Sequence, residues 1–158
     1  MERLIKELDK DIVLTEVENI DINSTVMLHI EYDKSYISRC PECGQPAVRK
    51  NGSHERTVKD LPLMGRKVVF VIKVRELFCD NISCPRKTFS ERFSFLGKTG
   101  FRTQRLDDYA VESFLESSAI ATERLFRDNV ADISNDTILR LVKKNTADKQ
   151  RHQNSRDR

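Results

Sequence analysis

The chain has 158 residues, 38% of them hydrophobic and 34% charged, with a formal net charge of +3. That length holds one domain or two small ones and allows only a modest apolar core, a shortage that a bound metal can offset. Residues 1–30 contain no long apolar run, so neither a membrane span nor a secretory leader is expected there.

The charge is unevenly spread. Residues 1–39 carry 5 basic and 9 acidic side chains, residues 40–105 carry 14 and 6, and residues 106–158 carry 9 and 10. The positive field therefore lies in the middle of the chain, where it favours a polyanion such as nucleic acid over a neutral partner.

Taken in order, residues 1–10 read as a short helix, with Leu4, Ile5 and Leu8 at helical spacing among charges. Residues 12–32 read as a β-hairpin. Its second arm, Val26 to Tyr32, alternates Val26, Leu28, Ile30 and Tyr32 with polar positions, and Asn23-Ser24 supplies the turn. His29 falls on the polar side, as a surface histidine.

Cys40-Pro41-Glu42-Cys43-Gly44 follows, and Cys79 and Cys84 form a second pair before Pro85. Two thiolate pairs in short polar turns, brought together by intervening strands, make a tetrahedral four-sulfur zinc site. A redox pair would require a helix after the first motif, and two disulfides would require an oxidising compartment. Cys40, Cys43, Cys79 and Cys84 are therefore the expected ligands of a structural Zn2+, and His54 is the one nearby side chain that could replace a cysteine. Between the pairs, residues 47–50 read as a short strand, Asn51-Gly52 as a turn, and Val68 to Arg75 as the clearest strand in the chain.

Residues 86–105 interleave Arg86, Lys87, Arg92, Arg102 and Arg105 with Phe89, Phe93, Phe95 and Phe101. Most of these rings are expected to dock onto neighbouring modules, leaving the basic side chains for phosphate contacts. From Thr103 the pattern is helical. A support helix carries Leu106, Tyr109, Ala110, Phe114 and Leu115, a shorter one spans residues 120–129, and a third begins after Ser134 as N-cap. Two short helices and a brief turn behind a support helix suit a helix-turn-helix. Its recognition helix would present Asn135, Thr137 and Arg140 to DNA, with Lys143 further along. Residues 145–158 are polar and read as a disordered tail.

The order of these features resembles the N-terminal region of bacterial insertion-sequence transposases of the ISL-three group. The shared run is Cys40-Pro41-x-Cys43-Gly44, His54 with Arg56, Asp60-Leu61-Pro62, the Val68–Arg75 strand and Cys79 to Cys84. It continues through Arg86-Lys87-Thr88-Phe89 with Glu91, and Ser134-x-Asp136-Thr137-Ile138-Leu139-Arg140, covering most of residues 12–144. The resemblance implies a zinc-binding domain and a helix-turn-helix that hold the terminal inverted repeats of a mobile element. In that family a DDE domain follows, with three carboxylates holding two divalent metals. No stretch of this sequence matches that domain, and Asp148 or Asp157 cannot stand in for it.

The expectation is an α+β chain: an N-terminal helix and β-hairpin (1–39), a zinc ribbon (40–90), a basic and aromatic connector (91–105), an all-α helix-turn-helix bundle (106–144) and a disordered tail (145–158). Its expected function is non-catalytic binding of double-stranded DNA, in the bacterial cytoplasm at the nucleoid, with no membrane association. A full-length transposase or a second copy of the chain is the expected protein partner. The alternative is a free-standing transcriptional regulator using the same two modules, which flanking inverted repeats or an adjacent frame with the missing carboxylates would disfavour.

Overall fold

The computed structural model describes residues 2–20, 25–97 and 99–154. The Asn23-Ser24 turn lies outside them. After a short helix α1 (Glu2–Lys6) come strands β1 (Ile12–Ile20) and β2 (Thr25–Tyr32), then β3 (Ser38–Arg39) and β4 (Pro46–Ala47). Two long strands follow, β5 (Lys50–Leu63) and β6 (Arg66–Phe78), then β7 (Thr88–Ser90) and the helices α2 (Gln104–Glu116), α3 (Ala119–Asn129) and α4 (Asn135–Asn154).

The central strand is β6. It carries Val68, Phe70, Ile72 and Val74 on one face, all at most 3% exposed, and Val71 on the other at 6%. Its backbone groups are satisfied on both edges, since β6 pairs with strands on either side. β2 runs parallel to it from Thr25↔Lys67 to Glu31↔Lys73, β5 runs antiparallel, and β7 pairs near its end through Leu77↔Phe89. The sheet order is β1-β2-β6-β5, with β7 beside β6. The parallel β2–β6 pairing requires the chain to travel back between them, and β5 makes that return.

This overturns the expected fold class. β1 and β2 do pair antiparallel, but they are not a separate hairpin ahead of a ribbon and an all-α bundle. They extend the same sheet as the ribbon strands, in a chain that is mostly β with three short helices at its C-terminal end. The physical reason is edge satisfaction. A two-stranded hairpin is marginal alone, and β6 supplies the backbone partners and apolar face that complete it. The core joins Ile5 of α1 and Ile12 of β1 to Leu28, Ile30, Val58, Phe70 and Ile72, with Phe93 and Phe95 closing it.

Two turns differ from expectation. Asn51-Gly52 is not a turn; the chain passes straight through it in β5 with a bulge between Lys50 and Gly52. The reversal comes at Met64-Gly65, with φ of 51° and 72°, joining Leu63 to its partner Arg66. Positive φ at both central residues matches the right-handed twist of the arms, which is why a glycine is needed there. At the other end, α4 continues through Asn145 to Asn154 instead of stopping where the disordered tail was expected. A polar helix can elongate from a packed first half, because propagation is cheap once nucleated.

The helices form a second core from Leu106, Ala110, Phe126, Val130, Ala131, Ile133 and Ile138. Leu61 of β5 packs against it, so the helices sit on the sheet. Backbone bonds reinforce the junction: Lys59 N–H donates to Phe101 O and Thr103 N–H donates to Lys59 O, both at 3.0 Å. Among the described residues no helix is long and apolar enough to cross a membrane.

Candidate metal centre and nucleic-acid interface

The first knuckle is a miniature hairpin. β3 and β4 pair through Ser38↔Ala47 and Arg39↔Pro46, Cys40 N–H donates to Gln45 O, and Gly44 N–H donates to Cys40 O, both at 2.9 Å. Gly44 takes φ 72° to close this turn. The second knuckle leaves the end of β6. Cys79 N–H donates to Lys87 O at 2.9 Å, and Cys84 N–H to Asn81 O at 3.0 Å. Lys87 Nζ reaches Ile82 O at 3.3 Å and Cys84 O at 3.1 Å, fastening that loop from outside.

The four Sγ atoms all lie within 4.8 Å of one another. Cys40 and Cys84 are 3.9 Å apart and Cys43 and Cys79 are 3.6 Å apart, and all four thiols are free of disulfides. A zinc–sulfur bond of ~2.3 Å in a tetrahedron places its sulfurs ~3.8 Å apart, between those two values. The donor set fits a structural zinc, and Cys40, Cys79 and Cys84 are buried. Ala47, Leu77 and Phe89 pack around the sulfurs, so β7 contributes an aromatic lid. His54 stands outside this group, 3.3 Å from Glu76 across the β5–β6 pair.

The thiols are not equivalent. A backbone N–H from Gln45 chiefly holds Cys43 down at about 7. At Cys79 the N–H of Asn81 pulls down, but burial and the sulfurs of Cys43, Cys40 and Cys84 together push the thiol up to about 12. Burial raises Cys84 as well. Without a metal, one thiolate is stabilised by neighbouring thiols; a dication is what lets all of them ionise.

With that geometry in hand, residues 38–84 match the family model described as the zinc-finger of transposase IS204/IS1001/IS1096/IS1165. This region is an ISL-three-type zinc ribbon. The match begins at β3 and spans both knuckles and the β5–β6 arms. No curated protein and no solved structure matches the chain significantly.

Around the ribbon, the basic side chains expected to contact DNA are largely engaged. Arg86 pairs with Glu42 at 3.1 Å, tying the two knuckles together, and Lys87 is held by carbonyls. Arg102 pairs with the buried Asp107 at 2.5 Å, and Arg105 with the buried Asp60 through both Nε and Nη2. Arg49 bridges to Asp80 at 2.5 Å while lying 4.2 Å over the Phe78 ring. Of the phenylalanines, Phe89, Phe93 and Phe95 are buried as expected, and Phe101 is 67% exposed.

The α4 candidates are placed differently. Ser134 Oγ accepts from Thr137 N–H at 3.4 Å as N-cap and lies 3.0 Å from Thr137 Oγ1. Asn135 and Thr137 are half-buried on the first turn, while Arg140 and Lys143 are exposed. Among the described residues Arg140 makes an i,i+4 contact with Asp136 at 2.6 Å, with 77% of its side chain exposed. These four residues share one helix, well removed in sequence from the metal.

Three carboxylates are buried, Asp60, Glu91 and Asp107; the sequence marked Asp60 and Glu91 only as parts of the shared run, and Asp107 not at all. Glu91 Oε1 accepts from Ser38 Oγ at 2.5 Å and from Arg75 Nε and Nη2 at 2.8 and 2.5 Å, and Oε2 accepts from Arg75 N–H at 3.0 Å. It thereby clamps β3, β6 and the segment after β7. The signal for Asp60 was present, since it occupies a core-facing position two residues after Val58.

Proposed function

We propose that this chain binds double-stranded DNA as the end-recognising part of an insertion-sequence transposase. The observation that carries the reading is the zinc ribbon itself, a four-sulfur site inside a match to a transposase zinc-finger. The charge distribution supports it, with the excess of basic residues falling on residues 40–105. The three helices support it too: α2 backs α3 and α4, and the short link from Val130 to Ser134 turns α4 outward with Arg140 and Lys143 exposed.

In this reading the ribbon is a brace, and α2 to α4 work as a helix-turn-helix reading the terminal inverted repeats. Asn135 and Thr137 meet base edges at the start of α4, while Arg140 and Lys143 meet a guanine edge or phosphates. The zinc supplies no chemistry, because four sulfur ligands close its coordination shell and leave no position for water. This part of the protein then contributes binding and no cleavage, and a full-length transposase or a second copy shares the DNA ends with it.

A mobility-shift titration over rising salt, comparing duplexes carrying element ends with scrambled duplexes, tests the reading. Tighter binding to element ends with a steep salt dependence is the expected result. Equal binding to both duplexes removes sequence recognition, and no binding to either at low salt removes the function.

A further inference from the structure

Three buried carboxylates are each paired with an arginine. Asp60 is matched by Arg105, Asp107 by Arg102, and Glu91 by Arg75. Arg56 has no such counterpart among the described residues. Arg56 occupies a core-facing position of β5, opposite Ile72 and two residues before the buried Val58. It is half-buried, and among the described residues its hydrogen-bond partner is the Gly100 carbonyl, which accepts from Nη2 at 2.6 Å. That single neutral acceptor leaves most of the guanidinium's donors unused.

The surroundings of Arg56 form a cleft of about 390 Å3, lined also by Arg92, Leu96, Gly97 and Thr99. Arg92 is exposed and anchored through its carbonyl by the Tyr32 hydroxyl at 3.0 Å, which leaves its guanidinium free of a carboxylate among the described residues. Glu91 also borders the cleft, but its oxygens are occupied by Arg75 and Ser38. The Asp107 carboxylate behind Gly97 is bound to Arg102.

The loop wall is built to stay close. Gly100 has φ 71°, and a Cβ there would strike the Arg56 guanidinium; a Cβ on Gly97 would come within 2.6 Å of Asp107. The turn therefore holds a carbonyl against Arg56, orienting its remaining N–H groups into the opening.

We infer that this cleft is a binding site for a phosphodiester group, with Arg56 and Arg92 as the charge donors and the Thr99 hydroxyl as an added hydrogen-bond donor. Two guanidiniums lacking carboxylates, one fixed in direction, suit a planar fork meeting phosphate oxygens. The inference rests on the DNA-binding function proposed above and adds a backbone anchor beside the chain that leads from Gly97 into α2. Such an anchor fixes the helices on the duplex and carries no sequence information.

The test is the salt dependence of duplex binding by the zinc-loaded chain, wild type against Arg56→Gln, Arg56→Lys and Arg92→Gln. Loss of one phosphate contact should lower the slope of log K against log salt by about 0.9, leaving the ratio between element-end and scrambled duplexes unchanged. Arg56→Lys should keep the slope nearer to wild type. Arg92 is exposed, so its variant should fold even if Arg56→Gln does not. Wild-type binding with unchanged slopes in the Gln variants overturns the cleft alone; absence of wild-type binding overturns the cleft and the DNA-binding function together. A changed preference between the two duplexes would also overturn it, since that outcome belongs to base contact.

Discussion

Thr103 caps helix α2 and fastens it to the sheet with the same hydroxyl. Its Oγ accepts from Leu106 N–H at 3.3 Å and donates to Asp60 on β5 at 2.6 Å, with both side chains nearly fully buried. Arg105, one turn of chain away, closes on the same carboxylate. The start of α2 and part of its docking on the sheet thus share one acidic residue, beside the backbone bonds of Lys59 and the packing of Leu61.

Asp60→Asn should therefore loosen the helices from the sheet without affecting the metal. Removing one member of a buried pair costs about 3–5 kcal/mol, and the lower end applies because Arg105 is 46% exposed and can turn to water. Urea unfolding should show an earlier helical transition by circular dichroism, while zinc content stays at that of the wild type. Thr103→Val removes the cap and the hydrogen bond its hydroxyl donates to Asp60, and should cost about 1–2 kcal/mol by the same measurement.

Cys79→Ser should abolish stoichiometric zinc binding, measured by a chromogenic chelator after thiol modification. Because Cys79 ends β6 and Phe89 packs over the sulfurs, loss of the metal should also expose β7 and the second knuckle to proteolysis. Retention of one zinc in the variant would mean that another ligand had entered.

Zinc affinity should fall as the solution is acidified. Protons compete with the metal for sulfur, and the metal-free thiols of Cys79, at about 12, and Cys84, also raised, stay protonated at neutral pH. Binding must then release at least those two protons, so affinity should weaken by about a hundredfold for each pH unit lost. Below about 7 Cys43 takes up a proton as well and the dependence steepens. Competition with a chelator of known proton linkage across pH 6 to 8, a range of about two units around neutrality, checks the slope.

Arg140→Ala should leave folding almost untouched, within about 0.5 kcal/mol, since its one ion pair is exposed and local to the helix. DNA binding should weaken, most strongly on element-end duplexes. The variant's thermal midpoint and its shift titration on both duplexes are the paired measurements.

The metal centre was legible because its chemistry is local: two cysteine pairs, each in a polar turn, announce a four-sulfur site before any fold is known. The helices were legible for a similar reason, with Ser134 as a cap and apolar residues at helical spacing from Thr103 onward; that Thr103 itself caps α2 emerged only in the structure. The basic connector was misread in its detail. Arg102 and Arg105 look available in sequence, and only folding brings Asp107 and Asp60 to them.

What the amino-acid order determined by itself was the identity of the ligands, the alternation of β2 and β6 and the separation of three helices, all properties of neighbours along the chain. What only the tertiary structure decided was which strands meet. The parallel pairing of β2 with β6 joins residues more than 40 positions apart, from Thr25↔Lys67 onward, and no local pattern encodes that choice. It satisfies both edges of β6 at once, and it joins the expected hairpin to the long ribbon strands in one sheet while β3 and β4 pair separately. The antiparallel pairing of β5 with β6, which puts Arg56 opposite Ile72, sets Arg56 beside the cleft.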